Sequence, residues 1–293
     1  MSPEVFQEIS LHGAAVLLST RAKFRLTGAD RVRYLNGQVT NDVRRASASA
    51  ALYACVTDVK GRISGDVFIH ADDDCLFLDA EPGLREPLAL RLERYIVADD
   101  VELADVTDEW QLWHVFGGTE TNVSDEAMAA LTESRGHVLH ATRFGLEGRD
   151  IWLPAAAAFQ PSIRVLNDDE AETWRILQNV PRWPHELGPD TFPAEAGIEA
   201  RAMDFSKGCY IGQEVLSRIK TTGKMPRVMI ALEGDEPLKR GDTLWTDKQA
   251  GGITSATLHP VTGRWVALAM LRQGTDLAAL HLHAADGPSI GCR

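Results

Sequence analysis

The stretch FSKGCYIGQEVLSR, residues 205–218, brings a thiol, an amine and a carboxylate together among glycines. Gly208 and Gly212 allow the backbone a sharp path and a close approach to its neighbours. The run from Gln213 onward reads as a helix, which places Cys209 just before the positive end of its peptide dipoles. That field and the charge of Lys207 favour the thiolate, the form that attacks electrophiles and binds soft metals. Cys209 and Lys207 are therefore the candidate catalytic pair. A plainer reading stays open beside it, in which the glycines form a tight connection and Cys209 fills a small space. Glu214 suits the first turn of the helix, and Arg218, four residues on, can pair with it. Arg218, Lys220, Lys224 and Arg227 then form a local excess of positive charge, either an anion receptor or a solvated helix end.

The other cysteines offer less. Cys55 lies in the apolar run ALYACV and Cys75 in CLFL, both suited to a core, and Cys292 is next to last. No C-x-x-C pair or zinc-finger spacing occurs, so neither a disulfide framework nor a structural zinc site is expected. No histidine lies in an evident partner motif for a Cys–His nucleophile. PHELGPD at 184–190 lacks the second histidine of a zinc protease, and the dinucleotide and P-loop fingerprints are absent. A net charge of −12 argues against broad, unspecific nucleic-acid binding, which needs a positive surface. No run approaches the roughly 18 apolar residues of a membrane span, and MSPEVFQEIS lacks the layout of a secretory signal. A cytoplasmic monomer without membrane association is the expectation.

The elements that must position Cys209 alternate between helix and strand patterns. Lys23 to Leu26 reads as a strand, and Val32, Leu35 and Val39 share one helical face after Asp30. ALYACVTDVKGRISGDVFIHADDDCLFLDA reads as antiparallel strands turning at Lys60-Gly61 and at Ala71 to Asp74. Leu84, Leu88, Leu92 and Tyr95 have helical spacing; DDVELADV and QLWHVF return to strand. Ser124, Asp125 and Glu126 form a helix start. HVLHAT and LEGRDIWLP are further strands, followed by a helix from about Asp168 to Gln178. Beyond TTGKMP only short strands and glycine turns remain, a compact all-β module. The fold expected is α+β with a small C-terminal β barrel, divided into 1–224 and 225–293.

KGCYIGQEVLSR closely resembles the signature of the YgfZ-type folate-binding proteins, whose eukaryotic relatives act in iron–sulfur cluster maturation. These are similar in fold to the T-protein (aminomethyltransferase) of the glycine cleavage system. LTGADRVRYLNGQVTNDV, VTDVKGRISGDVFI and RILQNVPRWPHELGPDTFPAEAGI resemble the blocks that precede the signature, and GGITSATLHP with WVALAML its C-terminal module. The resemblance implies three subdomains, two of them interleaved within 1–224, in a ring around a central channel for tetrahydrofolate or a derivative. It places Lys207, Cys209 and Tyr210 at that channel, and implies Asp66, Tyr210, Gln213, Glu214, Arg218 and Arg227 as cofactor-binding residues. The implied partners are iron–sulfur assembly factors or client enzymes, tRNA-modifying ones included. A single cysteine cannot hold a stable cluster, so contact with one would be transient.

Two departures from the T-protein pattern stand out. Aligned on Arg175, the carboxylate of its R-x-E-A-G block is replaced by Leu177, and GRISGD keeps only Asp66 of a paired aspartate. Loss of placed charge weakens transition-state stabilisation. An accessory role is thus expected rather than aminomethyl transfer. A folate-dependent one-carbon transferase and a folate sensor are the alternatives.

Overall fold

In a computed structural model of the chain, residues 1–117 and 136–293 are described. The helix start expected at Ser124 to Glu126 lies outside the described residues. The described part is α+β with three sheets, and none of its helices is long and apolar enough to cross a membrane.

The first sheet has the order β10-β1-β7-β9-β8, from β1 (Ala14–Leu17), β7 (Trp110–Phe116), β8 (His137–Ala141), β9 (Gly148–Pro154) and β10 (Val165–Leu166). The second has the order β3-β4-β5-β2-β6, from β2 (Ala22–Thr27), β3 (Leu52–Thr57), β4 (Ile63–Asp72), β5 (Cys75–Ala80) and β6 (Glu102–Asp105). Both faces of the second sheet are buried, so β4 is buried along most of its length, polar Asp66 and His70 included. Val67 and Ile69 pack with Leu35, Leu88 and Leu92 of α2 (Arg31–Gln38) and α3 (Arg85–Glu93). Asp66 and Phe68 alternate with them and so point the other way.

The helix α4 (Asp168–Leu177) joins the first and third sheets. It starts at a capping box: Asn167 Oδ1 accepts from Glu170 N (2.9 Å), and Glu170 accepts in return from Asn167 N (3.2 Å). Trp174 packs with Phe116 and Ile9 of α1 (Pro3–His12) against the first sheet. Ile176 and Leu177 pack with Val266 and Leu268 of the third. Two short helices follow, α5 (Glu199–Ala202) and α6 (Gln213–Thr222), the latter where the signature pattern predicts a helix.

The C-terminal module corrects the expected barrel. Its strands β11 (Arg227–Gly234), β12 (Thr243–Trp245), β13 (Gln249–Leu258), β14 (Trp265–Arg272), β15 (His281–Leu282) and β16 (Gly291–Cys292) form one sheet. The order is β15-β12-β13-β14-β11-β16, with β15 and β16 on opposite edges and not paired with each other. The sheet is an open half-barrel. Closure needs edge strands with enough length and stagger to meet, and each edge strand here is two residues long.

Candidate functional site

A cavity of about 240 Å³ opens between the first two sheets and α4. β4 supplies Asp66 and Phe68, and β3 supplies Tyr53, directly opposite Phe68 in the antiparallel register. The two rings lie 4.8 Å apart and give the cavity aromatic faces.

The charged wall is held by buried ion pairs. Arg143 donates to Asp79 and Asp150 (2.6 Å each), with its guanidinium 3.9 Å from the centre of the Phe68 ring. Arg21 donates to Asp79 and Glu81, and His114 Nδ1 lies 2.8 Å from Asp150 Oδ1. Burial opposes charge on Asp79 and Asp150, yet the Arg143 guanidinium beside them holds both carboxyls below the usual range. On α4, Arg175 donates to Glu172 (2.5 Å) and to Glu186 (3.1 Å), and Arg182 reaches Glu172 (3.0 Å). Such a network fixes its members in place.

Two polar atoms of this wall are buried without a partner, Asp66 Oδ1 and Arg21 Nη2. The other oxygen of Asp66 accepts from the Tyr53 hydroxyl at 3.0 Å. Burial pushes the Asp66 carboxyl up to about 6, against the pull of Arg21. An open buried group carries a penalty of about 1–3 kcal/mol, which a matching ligand atom relieves. A flat ring with an N–H and a carbonyl on one edge suits this acceptor, this donor and these aromatic faces.

Of the eight residues expected at the site, Asp66 alone lines the cavity. Lys207 is buried, and its Nζ donates to the carbonyls of Asn36 (2.6 Å), Val39 (2.7 Å) and Asn41 (2.7 Å). Burial lowers its ammonium to about 8. This lysine ties the signature loop to the end of α2. Tyr210 packs in a core with Cys55, Ile63 and Leu216, and burial raises its hydroxyl to about 12. Gly212 caps α6 with φ +87°, where an added Cβ would lie 2.5 Å from the Asp58 carbonyl oxygen. Thr57 Oγ1 donates to the adjacent Ile211 carbonyl at 2.6 Å, so the signature sits on the β3–β4 turn. Gly208 has open space around it.

Cys209 is exposed, whereas Cys55 is buried. Gln213 opens α6, exposed Glu214 pairs with Arg218 at 3.6 Å, and Arg227 at the start of β11 holds Glu195 at 3.3 Å. Leu177, expected in place of a ligand-reading carboxylate, is buried against the third sheet. The carboxylates that α4 does bring to the cavity are Asp168, at its start, and Glu172, one turn before Arg175. Glu172 was legible as an i, i+3 partner of Arg175; Tyr53 follows from the register that the Lys60-Gly61 turn sets. Arg21 carries no local signal, because Asp79 and Glu81 lie 58 and 60 residues away; Arg143 has Asp150 seven residues on, but its other partner, Asp79, lies 64 away. Among the described residues no group of three or more His, Cys, Asp and Glu could hold a metal ion.

No protein-family model matches the chain. Over 251 residues it is 29% identical to the tRNA-modifying protein YgfZ of Sodalis glossinidius, covering 78% of this chain and 74% of that one. It is 28% identical over 221 residues to the mitochondrial iron–sulfur cluster assembly factor IBA57 homolog of Phaeosphaeria nodorum. That match covers 70% of this chain and spans about half, 52%, of the relative's length. The crystal structure of the glycine cleavage system aminomethyltransferase T from Bartonella henselae superposes with a TM-score of 0.81 at 15% identity. That superposition covers 98% of this chain and 86% of that one. The chain is thus similar in sequence to the YgfZ-type proteins and has the fold of the glycine-cleavage aminomethyltransferase.

Proposed function

We propose that the protein binds a reduced folate between its first two sheets and serves enzymes that carry iron–sulfur clusters, tRNA-modifying ones among them, as an accessory factor. The observation that carries the reading is the buried, unpartnered Oδ1 of Asp66 in a cavity walled by Tyr53 and Phe68. A pterin presents the ring faces, the N–H donors and the carbonyl that such a wall accepts. Ionised Asp66 takes a ring N–H, Arg21 Nη2 donates to the carbonyl, and the ion pairs behind Arg21 hold it there. Likeness to YgfZ-type and cluster-assembly proteins supports the accessory role. Cys209 is the thiol exposed to a partner, and it contacts a cluster, a persulfide or a one-carbon species only in passing.

Calorimetry with tetrahydrofolate tests the binding: wild type releases heat and Asp66→Ala loses most of the affinity. Absence of heat and of competition at millimolar ligand removes the folate reading. The accessory role is tested by deleting the gene, assaying iron–sulfur enzymes and tRNA modification, and complementing with wild type or Cys209→Ala. Aminomethyl transfer is the second reading, favoured by Glu172 and Asp66 facing one cavity. Formation of methylene-tetrahydrofolate with glycine-cleavage partners, at roughly 1–1000 per second, would promote it.

A further inference from the structure

Arg201 differs from the other arginines of the cavity. Arg21, Arg143, Arg175 and Arg182 each hold a carboxylate. Arg201 lies over the Tyr53 ring, 4.7 Å from its centre, and Nη1 donates to the Thr142 carbonyl at a long 3.5 Å. Among the described residues it forms no ion pair. Its backbone is nonetheless fixed: Asn41 Nδ2 donates to the Arg201 carbonyl (3.0 Å), and Thr40 Oγ1 to the next one (2.5 Å).

A second cavity, of about 420 Å³, shares Tyr53, Phe68 and Arg201 with the first. These three side chains are the wall common to both. The second cavity adds Arg45 and His140, with Glu147 as its acidic member. The remaining rim of the first cavity carries Glu81, Asp168 and Glu172. A carboxylate leaving that way meets Asp168 and two acids, Glu81 and Glu172, that already hold the nearby arginines. A carboxylate leaving past Tyr53 meets a guanidinium with open donors, whose planar fork matches it. The basic residues after the signature are no alternative, since Arg218, Lys220, Lys224 and Arg227 line neither cavity.

We infer that the second cavity holds the anionic arm of the ligand whose ring occupies the first, and that Arg201 reads its first carboxylate. This deepens the folate reading and rests on it. The arm is then a glutamyl chain, and Arg45 stands on the wall for carboxylates further out.

The test compares tetrahydrofolate with 6-methyltetrahydropterin, which has the ring and no arm, by calorimetry or displacement. Arg201→Ala should weaken tetrahydrofolate by about tenfold or more, the range for a hydrogen bond to a charged group. It should leave the methylpterin within about twofold, while Asp66→Ala weakens both ligands. Arg201→Lys should recover part of the loss. Equal loss for both ligands, or loss for neither, overturns the assignment while leaving the folate reading intact. If wild type binds neither ligand, the folate reading itself has failed and takes this inference with it. Arg45→Gln gives an independent measure on an exposed side chain. It should weaken a tetrahydrofolate polyglutamate more than the monoglutamate, and equal affinities for the two in wild type and variant count against the subsite.

Discussion

The wall of the first cavity and the signature loop contain similar residue types and use them in opposite ways. In the cavity, buried arginines and carboxylates neutralise one another and leave two atoms, Asp66 Oδ1 and Arg21 Nη2, open. In the loop, the buried lysine spends all three donors on backbone carbonyls, and the Cys209 thiol is exposed. The cavity presents chemistry prepared by a network. The loop is anchored tightly so that one thiol stands outside. A sequence signature can therefore mark how a segment is fastened as much as what it binds.

The sharpest way to break that contrast is to remove charge from the cavity network. Arg143→Ala leaves Asp79 and Asp150 buried without their shared partner, and uncompensated buried charge costs about 3–5 kcal/mol. Arg218→Ala in the signature helix removes only an exposed pair, worth about 0–0.5 kcal/mol. Urea unfolding of both variants measures the difference. Similar losses would mean that the cavity wall is not a coupled unit.

Next come the two glycines that flank Cys209. Gly212 combines left-handed backbone with a carbonyl 2.5 Å from any Cβ, so Gly212→Ala should cost about 1–3 kcal/mol. Gly208→Ala, with nothing near it, should stay within about 0.5 kcal/mol. Thermal melts decide this. If the two lose equally, the loop is not anchored through Gly212.

Much of the fold was legible because its signals are local. The hairpin of β3 and β4 follows from alternation and the Lys60-Gly61 turn, and α4 from Asn167 and the acids after it. The barrel was not legible, because closure depends on edge strands that end after two residues and carry no pattern of their own. The site divided the same way. Asp66 stood out as the remaining aspartate of its block, and it lines the cavity. Lys207 and Tyr210 stood out beside Cys209, and the structure places Lys207 on backbone carbonyls and Tyr210 in a core, surroundings that spacing cannot reveal. Arg21 and Arg143 meet at Asp79 from distant parts of the chain, and only the assembled sheets bring the three together.

A pH profile sharpens the cavity side. A ring N–H binds the ionised form of Asp66, which titrates near 6. At pH 7 about ten in eleven molecules carry that form and at pH 5 about one in eleven, so affinity should fall about tenfold. Asp66→Asn should remove this slope. For the ligand-free protein the sign reverses: the folded carboxyl holds its proton above its ordinary value of 3.8. Its contribution to stability is full below 3.8 and is lost as pH rises through about 6. Affinity that is flat from pH 5 to 7 would mean that Asp66 does not read the ligand.

The smallest effect on stability belongs to the residue with the largest expected effect in cells. Cys209 is exposed and fills no core, so Cys209→Ala should shift unfolding by no more than about 0.5 kcal/mol. Native iodoacetamide labelling, read by peptide mass spectrometry, should mark Cys209 and spare Cys55, which is fully buried and whose thiol burial pushes far up. Cys292 is also exposed, with its thiol raised by partial burial, so it serves as the internal reference for reactivity at an accessible site. Cys209 should outpace it, because burial holds the Cys292 thiol up. The same alanine variant, folded and still binding tetrahydrofolate, should fail to support iron–sulfur enzymes in cells. That combination separates a thiol presented to a partner from a turn that merely contains one. Full complementation by Cys209→Ala, with labelling no faster than Cys292, would leave the signature as an anchor and place the whole function in the cavity.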